Sequence, residues 1–123
     1  MKLEDQVTSL ELSKILKELG IKQESLFCYQ PVQNENDSVW TRNFNLNEFC
    51  NPSKDERIAA FTVAELGEML PDNCYTQKDC GNLPIEWYCH RMIDKDQEDI
   101  WNAETEADAR AKMLIYLLEN KLI

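Results

Sequence analysis

The chain has 123 residues, and its 13 Lys and Arg stand against 23 Asp and Glu, which gives a formal net charge of −10 at pH 7. This length predicts one domain, residues 1–123, with a single modest core. The excess of acid argues against direct binding of nucleic acid, because contacts with phosphate need clustered Lys and Arg. A well-solvated surface explains the charge most simply, and a basic protein partner or mimicry of nucleic acid also fits it.

Membrane and secretion signals are missing from the sequence. No apolar run approaches the length of a membrane span, and the N-terminus lacks a signal-peptide pattern. We therefore expect a cytosolic protein with no membrane partner. The cysteines are odd in number and scattered, which favours reduced thiols over a disulfide framework. They are Cys28, Cys50, Cys74, Cys80 and Cys89.

The first helix is predicted after a loose lead-in over residues 1–7. Thr8 and Glu11 have the spacing of an N-terminal capping box. Gly20 is the expected stop, with Ile21 folding back in a Schellman arrangement. The apolar stripe between them consists of Leu12, Ile15, Leu16 and Leu19.

Two strands are predicted next, with a polar loop between them. Residues 25–32 read as a strand that Pro31 ends or confines to a sheet edge. Residues 38–44 are its expected hairpin partner. The asparagine-rich segment 45–55 is predicted to be irregular, and 58–61 is a short apolar approach to the next helix.

The second helix begins with another capping box, formed by Thr62 and Glu65, and ends before Pro71. A loop is expected over 72–82. The clearest strand follows at 83–93, where Trp87 and Cys89 point one way and Tyr88 and His90 the other.

The chain closes with an acidic turn at 94–99, a short strand at 100–103 and a long helix capped by Thr105 and Asp108. The predicted order is therefore α-β-β-α-β-β-α. The predicted fold class is α+β, a small and mostly antiparallel sheet with about three helices packed on it.

The last helix carries two apolar lines. The buried line is expected to contain Ala107, Ala111, Leu114 and Leu118. Ala109, Met113 and Tyr116 lie on the opposite face, where a one-sided helix would carry charge. Either the domain covers both faces, with Tyr116 half exposed, or this second line is a surface for self-association or a protein partner.

Three segments carry a family likeness: SLELSKILKELGIKQESLF at 9–27, AFTVAELGEMLP at 60–71 and AETEADARAKMLIYLLENKLI at 103–123. They resemble a group of small uncharacterised bacterial proteins, many of them associated with phages or prophages. A looser similarity joins the order strand, strand, alanine-rich helix to the phage α-β-α sandwich domains. The resemblance implies a fold and a mobile-element setting, and it transfers no catalytic residues.

Patterns of catalytic or metal-binding residues are weak. Cys89 and His90 are neighbours on a predicted strand and so point to opposite faces, whereas a thiol nucleophile needs its base within reach. Cys74, Cys80 and Cys89 with a fourth ligand would not match a usual zinc spacing. The acids at 94–99 lack the glycine and the closing glutamate of a calcium loop. We therefore predict no catalytic residue, no cofactor and no metal site.

The leading functional hypothesis is a non-enzymatic protein-binding module of phage or mobile-element origin, which binds a protein partner or a second copy of itself. One alternative is an acidic mimic of nucleic acid that blocks a nucleic-acid-binding protein. Its candidate acidic surface consists of Asp94, Asp96, Glu98, Asp99, Glu104, Glu106 and Asp108. The other alternative is a thiol or metal-binding protein that uses the cysteines and His90.

Overall fold

A computed structural model of the protein describes residues 2–32, 43–48, 57–79, 81 and 86–123, and the structural statements below concern these residues. They form four helices and two antiparallel sheets of three strands each, which confirms the α+β class. The helices are α1 (Leu3–Gln6), α2 (Leu10–Glu18), α3 (Val63–Met69) and α4 (Glu106–Glu119). The strands are β1 (Phe27–Val32), β2 (Asn43–Glu48), β3 (Ile58–Ala60), β4 (Cys74–Asp79), β5 (Glu86–Met92) and β6 (Glu98–Ala103).

The start of the chain differs from its prediction in two respects. Residues 3–6 form the short helix α1, not a loose lead-in. The N-cap of α2 is Ser9, whose hydroxyl accepts a hydrogen bond from the Leu12 amide. The Thr8 side chain is buried instead, and its hydroxyl accepts from the Phe61 amide at 3.1 Å and lies 2.6 Å from the Ser13 hydroxyl. Thr8, which the local spacing predicted to be the N-cap, is therefore engaged in tertiary contacts with Phe61 and Ser13.

Other local signals are confirmed. Gly20 has a φ of 89°, and the Ile21 amide donates to the Leu16 carbonyl at 3.2 Å, as a Schellman motif requires. Thr62 and Glu65 form the complete capping box of α3. Thr105 accepts from the amide of Asp108 at the start of α4.

The first sheet has the strand order β2-β1-β3. The hairpin of β1 with its partner is confirmed, but β2 covers 43–48, mostly within the stretch predicted to be irregular, and residues 38–42 lie outside the described residues. Although β1 is the central strand, β3 pairs only with Phe27, Cys28 and Tyr29. Pro31 therefore lies where β1 has one partner strand, a position that tolerates its missing N–H.

The second sheet is the meander β4-β5-β6. Its first strand occupies residues 74–79, within the segment predicted to be a loop. The reason is that β4 is an edge strand with a largely polar sequence, CYTQKD, so it offers little apolar alternation. Strand β6 begins at Glu98, two residues earlier than predicted.

Helix α4 lies at the centre of the main core and contacts the second sheet, α2 and α3. Both of its apolar lines are covered. Ala109 and Met113 have no exposed surface, and Tyr116 is half-buried beside Trp101, with 5.5 Å between the ring centroids. Of the two alternatives for this line, the structure shows the one in which the domain covers both faces and Tyr116 is half exposed, and Ala109 and Met113 are not accessible as a partner surface because several elements pack around the helix.

The cysteines also depart from expectation. Cys28 is disulfide-bonded, so the prediction of five reduced thiols is wrong for this residue. Cys74 and Cys89 are free thiols, and Cys50 and Cys80 lie outside the described residues. The number and scatter of cysteines carry no information on which of them the fold brings together. Within the described part of the chain, no helix has the length and apolar character needed to cross a membrane.

Candidate functional site: the open face of the second sheet

The second sheet has two unlike faces. One face packs on α4 and contains the buried Cys89 and the half-buried Trp87. The opposite face belongs to neither apolar core cluster, and Tyr75, Met92 and Ile100 expose 44, 42 and 48% of their surface. We call it the open sheet face. By strand register it consists of Tyr75, Gln77, Asp79, Glu86, Tyr88, His90, Met92, Glu98, Ile100 and Asn102.

An aromatic group occupies the middle of the open sheet face. The register places His90 between Tyr75 of β4 and Ile100 of β6. The rings of Tyr75 and His90 are stacked, with centroids 4.7 Å apart and planes 5° from parallel, and Tyr88 lies 6.4 Å from His90. Because each ring comes from a paired strand, the group is held in one arrangement before any partner arrives.

A shallow groove runs beside this group. It has a volume of about 490 Å³ and is lined by Gln77, Asp79, Tyr88, His90 and Ile100. Lys78, between Gln77 and Asp79 on β4, also lines the groove, although its Nζ lies over Trp87 on the other face of the sheet. The groove therefore combines aromatic and aliphatic walls with polar ends, which is the composition of a site for a side chain or a small group.

The open sheet face is acidic. Asp79, Glu86 and Glu98 belong to it, and His90 is the one described residue of the face that can carry positive charge. Glu98 lies 3.3 Å from Nδ1 of His90, and Glu86 accepts from the side-chain amide of Asn102 at 3.0 Å. The carboxylates thus frame the aromatic group.

Tyr88 is positioned to donate a hydrogen bond. Partial desolvation, followed by the negative charges of Glu86 and Asp79, raises the pKa of its hydroxyl. The hydroxyl stays protonated at neutral pH, and it donates to Glu86 at 3.5 Å. This long contact leaves the hydroxyl able to exchange Glu86 for a partner's acceptor.

The candidate acidic surface is divided among different roles. Glu106 and Asp108 support the fold: Glu106 accepts from the Thr76 hydroxyl at 2.6 Å, and Asp108 accepts from the Ser9 amide at 2.8 Å. Burial raises the pKa of the Asp108 carboxyl, with smaller opposing contributions from its hydrogen bonds to Ser9. Asp99 pairs with Arg91 at 3.2 Å.

The remaining acids lie at separate places. Asp94 accepts from the amides of Asp96 and Gln97 and so closes the β5–β6 turn. Glu98 faces His90, and Glu104 directly follows the other end of the six-residue strand β6, roughly 20 Å away. The structure therefore does not join the seven acids into one surface.

The cysteines and the histidine are also separated. Cys89 is buried against α4 while His90 lies on the open sheet face, as their adjacency on a strand predicts. Burial raises the pKa of the Cys89 thiol to about 12, and burial likewise raises that of Cys74. No group of three or more His, Cys, Asp or Glu among the described residues could hold a metal ion. Cys80, one of the ligands considered for zinc, lies outside those residues.

Four of the ten residues of the open sheet face lie on β5, whose alternation is visible in the sequence. The alternation in β5 placed Tyr88 and His90 on one side, and the structure confirms it. Tyr75 was missed because its strand was predicted to be a loop. A signal that could have found it is the pair Tyr75 and Thr76, since both residue types are enriched in strands.

No family model, no curated protein and no solved structure matches this chain. The resemblance to small phage-associated proteins accordingly stays a prediction.

Proposed function

We propose that the protein is a non-catalytic protein-binding module that uses the open sheet face. The observation that carries the proposal is the stacked Tyr75–His90 pair with Tyr88 and Ile100 beside it on an exposed surface. Aromatic groups on a rigid scaffold are the usual energetic centres of protein interfaces, and monomers seldom expose them without a use. The resemblance to phage-associated proteins supports a mobile-element setting for this module.

Charge selects the kind of partner. The open sheet face has three carboxylates around its aromatic centre, and the whole chain has a net charge of −10. A partner segment with apolar or aromatic side chains flanked by Lys or Arg would match both features. An acidic segment of the same apolar content would be repelled.

This surface fits a binding module better than an acidic mimic. A mimic of nucleic acid needs a continuous row of carboxylates, whereas Glu106 and Asp108 are engaged in the fold and Asp94 closes a turn. The two functions also respond differently to salt. Binding through apolar burial persists at moderate ionic strength, and binding through exposed charges weakens with it.

The test uses immobilised synthetic peptides of two matched sets, one with Trp, Phe and Leu between lysines and one with the same residues between glutamates. The protein is expected to retain the basic set selectively, and Tyr75→Ser with Ile100→Ser is expected to abolish retention. Leu26→Ser is the matched control, because Leu26 is 56% exposed and directly precedes β1 of the first sheet.

Two results would contradict the proposal. One is unchanged retention by the Tyr75→Ser, Ile100→Ser variant while its circular dichroism matches the parent protein. The other is equal retention of basic peptides without apolar residues, lost steeply as salt is raised, which would favour the acidic mimic.

A further inference from the structure

A second concave region lies on the opposite side of the second sheet. It is a cleft of about 620 Å³ between α1, the start of α3 and the start of α4, and Trp87 and Lys78 form part of its wall. This volume is in the range of clefts that take small ligands. We call it the Trp87 cleft. Because Trp87 and Tyr88 are successive residues of β5, the cleft and the open sheet face are on opposite sides of one strand.

The aromatic wall of the cleft already holds a cation. Lys78 is the cross-strand neighbour of Trp87, and its Nζ lies 5.8 Å from the centroid of the indole ring. Trp presents the strongest face for such a contact among the aromatic side chains. On its other side Trp87 pairs with Ala103, so Lys78 is its only charged cross-strand neighbour. The geometry at Trp87 is therefore that of a cation site in which the protein's own ammonium is the occupant.

The carboxylates of the cleft exceed what Lys78 can balance. Asp5, Glu104 and Glu106 all line it. Glu106 is engaged by Thr76 and Arg110, but Asp5 and Glu104 are exposed and form no ion pair with any residue in the described part of the chain. The positive end of α4 offsets about half a charge. An added cation is therefore favoured over an added anion.

We infer that the Trp87 cleft binds an alkylammonium or guanidinium group, whose cation replaces Lys78 over the indole ring and pairs with Asp5 and Glu104. Such a group has two sources, a free diamine or the side chain of a lysine or arginine. Lys78 acts as a competitor for the site: it lies on β4, the edge strand of the sheet, and is exposed, so its side chain can rotate into solvent. Removal of Lys78 frees the ring and makes the cleft more negative.

The experiment titrates the ¹⁵N-labelled protein with cadaverine and, separately, with N-acetyl-lysine amide at low salt. The Trp87 indole resonance is assigned with Trp87→Phe, and a saturable shift of that resonance is expected. Glutarate, which has the same number of carbons as cadaverine and the opposite charge, is the matched control and should leave it unmoved. Tighter binding of cadaverine would point to a free diamine, and tighter binding of the lysine derivative to a side chain.

Variants test the cleft without disturbing the core. Asp5→Asn with Glu104→Gln changes exposed side chains and is expected to weaken binding about threefold or more, the value of one or two exposed ion pairs. Lys78→Ala is expected to tighten binding about two- to fivefold, as loss of an exposed cation–π competitor predicts. Absence of a saturable shift with both amines would overturn the inference, as would an equal shift with glutarate or unchanged affinity in these variants. None of these results depends on peptide binding at the open sheet face.

Discussion

Arg110 of α4 extends directly over the backbone of Gly67 in α3. A Cβ atom placed on Gly67 would lie 2.7 Å from Nη1 of Arg110, closer than Cβ atoms come to other heavy atoms in proteins. Arg110 is held there by the Thr76 hydroxyl at 3.2 Å and by Glu106 at 3.4 Å. Position 67 within α3 is thus a glycine because the side chain of Arg110, from α4, occupies the space that a Cβ atom would need.

Because of this contact, we expect Gly67→Ala and Arg110→Ala to have non-additive effects on the free energy of unfolding. Gly67→Ala in an Arg110→Ala background should raise the free energy of unfolding by about 0.5–1 kcal/mol, the helix propensity gained. In the parent protein that gain should be cancelled, since the new methyl group displaces Arg110 from Thr76 and Glu106. Urea denaturation of the four proteins measures a coupling expected to be about 1 kcal/mol. Equal effects of Gly67→Ala in both backgrounds would show that Arg110 moves aside at no cost.

We expect the buried hydroxyl of Thr8 to stabilise the packing of the N-terminal helices through its hydrogen bonds. Thr8→Val keeps the shape but removes the hydroxyl that accepts from the Phe61 amide and contacts Ser13. The buried amide would lose its partner, so we expect a loss of about 1–3 kcal/mol in the free energy of unfolding. Thr8→Ser is the matched control and should retain most of the stability. A Val variant as stable as the Ser variant would refute this role.

We expect the stability of the protein to depend on pH because of the buried carboxyl group of Asp108. Burial raises its folded-state pKa above the ordinary value of 3.8, so the folded state binds its proton more tightly than the unfolded state does. As the pH rises from 3.8 through the raised pKa, this carboxyl makes the folded protein progressively less stable. Asp108→Asn can still accept from the Ser9 amide and lacks this titration.

The measurement is urea denaturation of both proteins between pH 4 and pH 7. The stability of Asp108→Asn relative to the parent protein should increase with pH over this range. Glu119→Gln, an exposed change at the far end of α4, is the control. A relative stability of Asp108→Asn that falls with pH would mean that its hydrogen bonds outweigh its burial.

Cys89 is predicted to be chemically silent in the native protein. Its thiol is buried with a pKa raised to about 12, so the reactive thiolate is scarce at pH 8. Titration with an aromatic disulfide reagent, followed by peptide mapping, should leave Cys89 unmodified in buffer and modify it in 6 M guanidinium. Half-buried Cys74 should react first. Fast modification of native Cys89 would contradict its burial and restore the hypothesis of a thiol protein.

Signals confined to a few neighbouring residues predicted the structure well. The capping box at Thr62 and Glu65, the cap at Thr105 and the stop at Gly20 are all present, because each is satisfied by the backbone of its own turn. Thr8 shows the limit of such signals. Its spacing suited a cap, yet Phe61 and Ser13 bind the same hydroxyl from elsewhere in the fold.

Sequence patterns whose outcome depends on tertiary packing predicted less of the structure. Helical periodicity showed that Ala109 and Met113 lie on one line of α4. It does not indicate how many other elements pack around the helix, and so it could not show that this line is buried. The edge strand β4 has too few apolar residues for its sequence to indicate a strand, so Tyr75, Gln77 and Asp79 of the open sheet face were missed. The acidic residues formed a group in sequence, while hydrogen bonds to Ser9 and Thr76 divide them in space.

Strand β5 contributes side chains to both faces of its sheet, and this limits where insertions and deletions can be tolerated in the sequence. Trp87 and Cys89 face one side and Tyr88 and His90 the other, so one residue inserted near the start of the strand would move every side chain after it to the opposite face. The thiol at Cys89 would be delivered to solvent and the imidazole of His90 to the core. Length variation among descendants of this sequence should therefore collect in the exposed turn at 94–97 and be absent from 86–92.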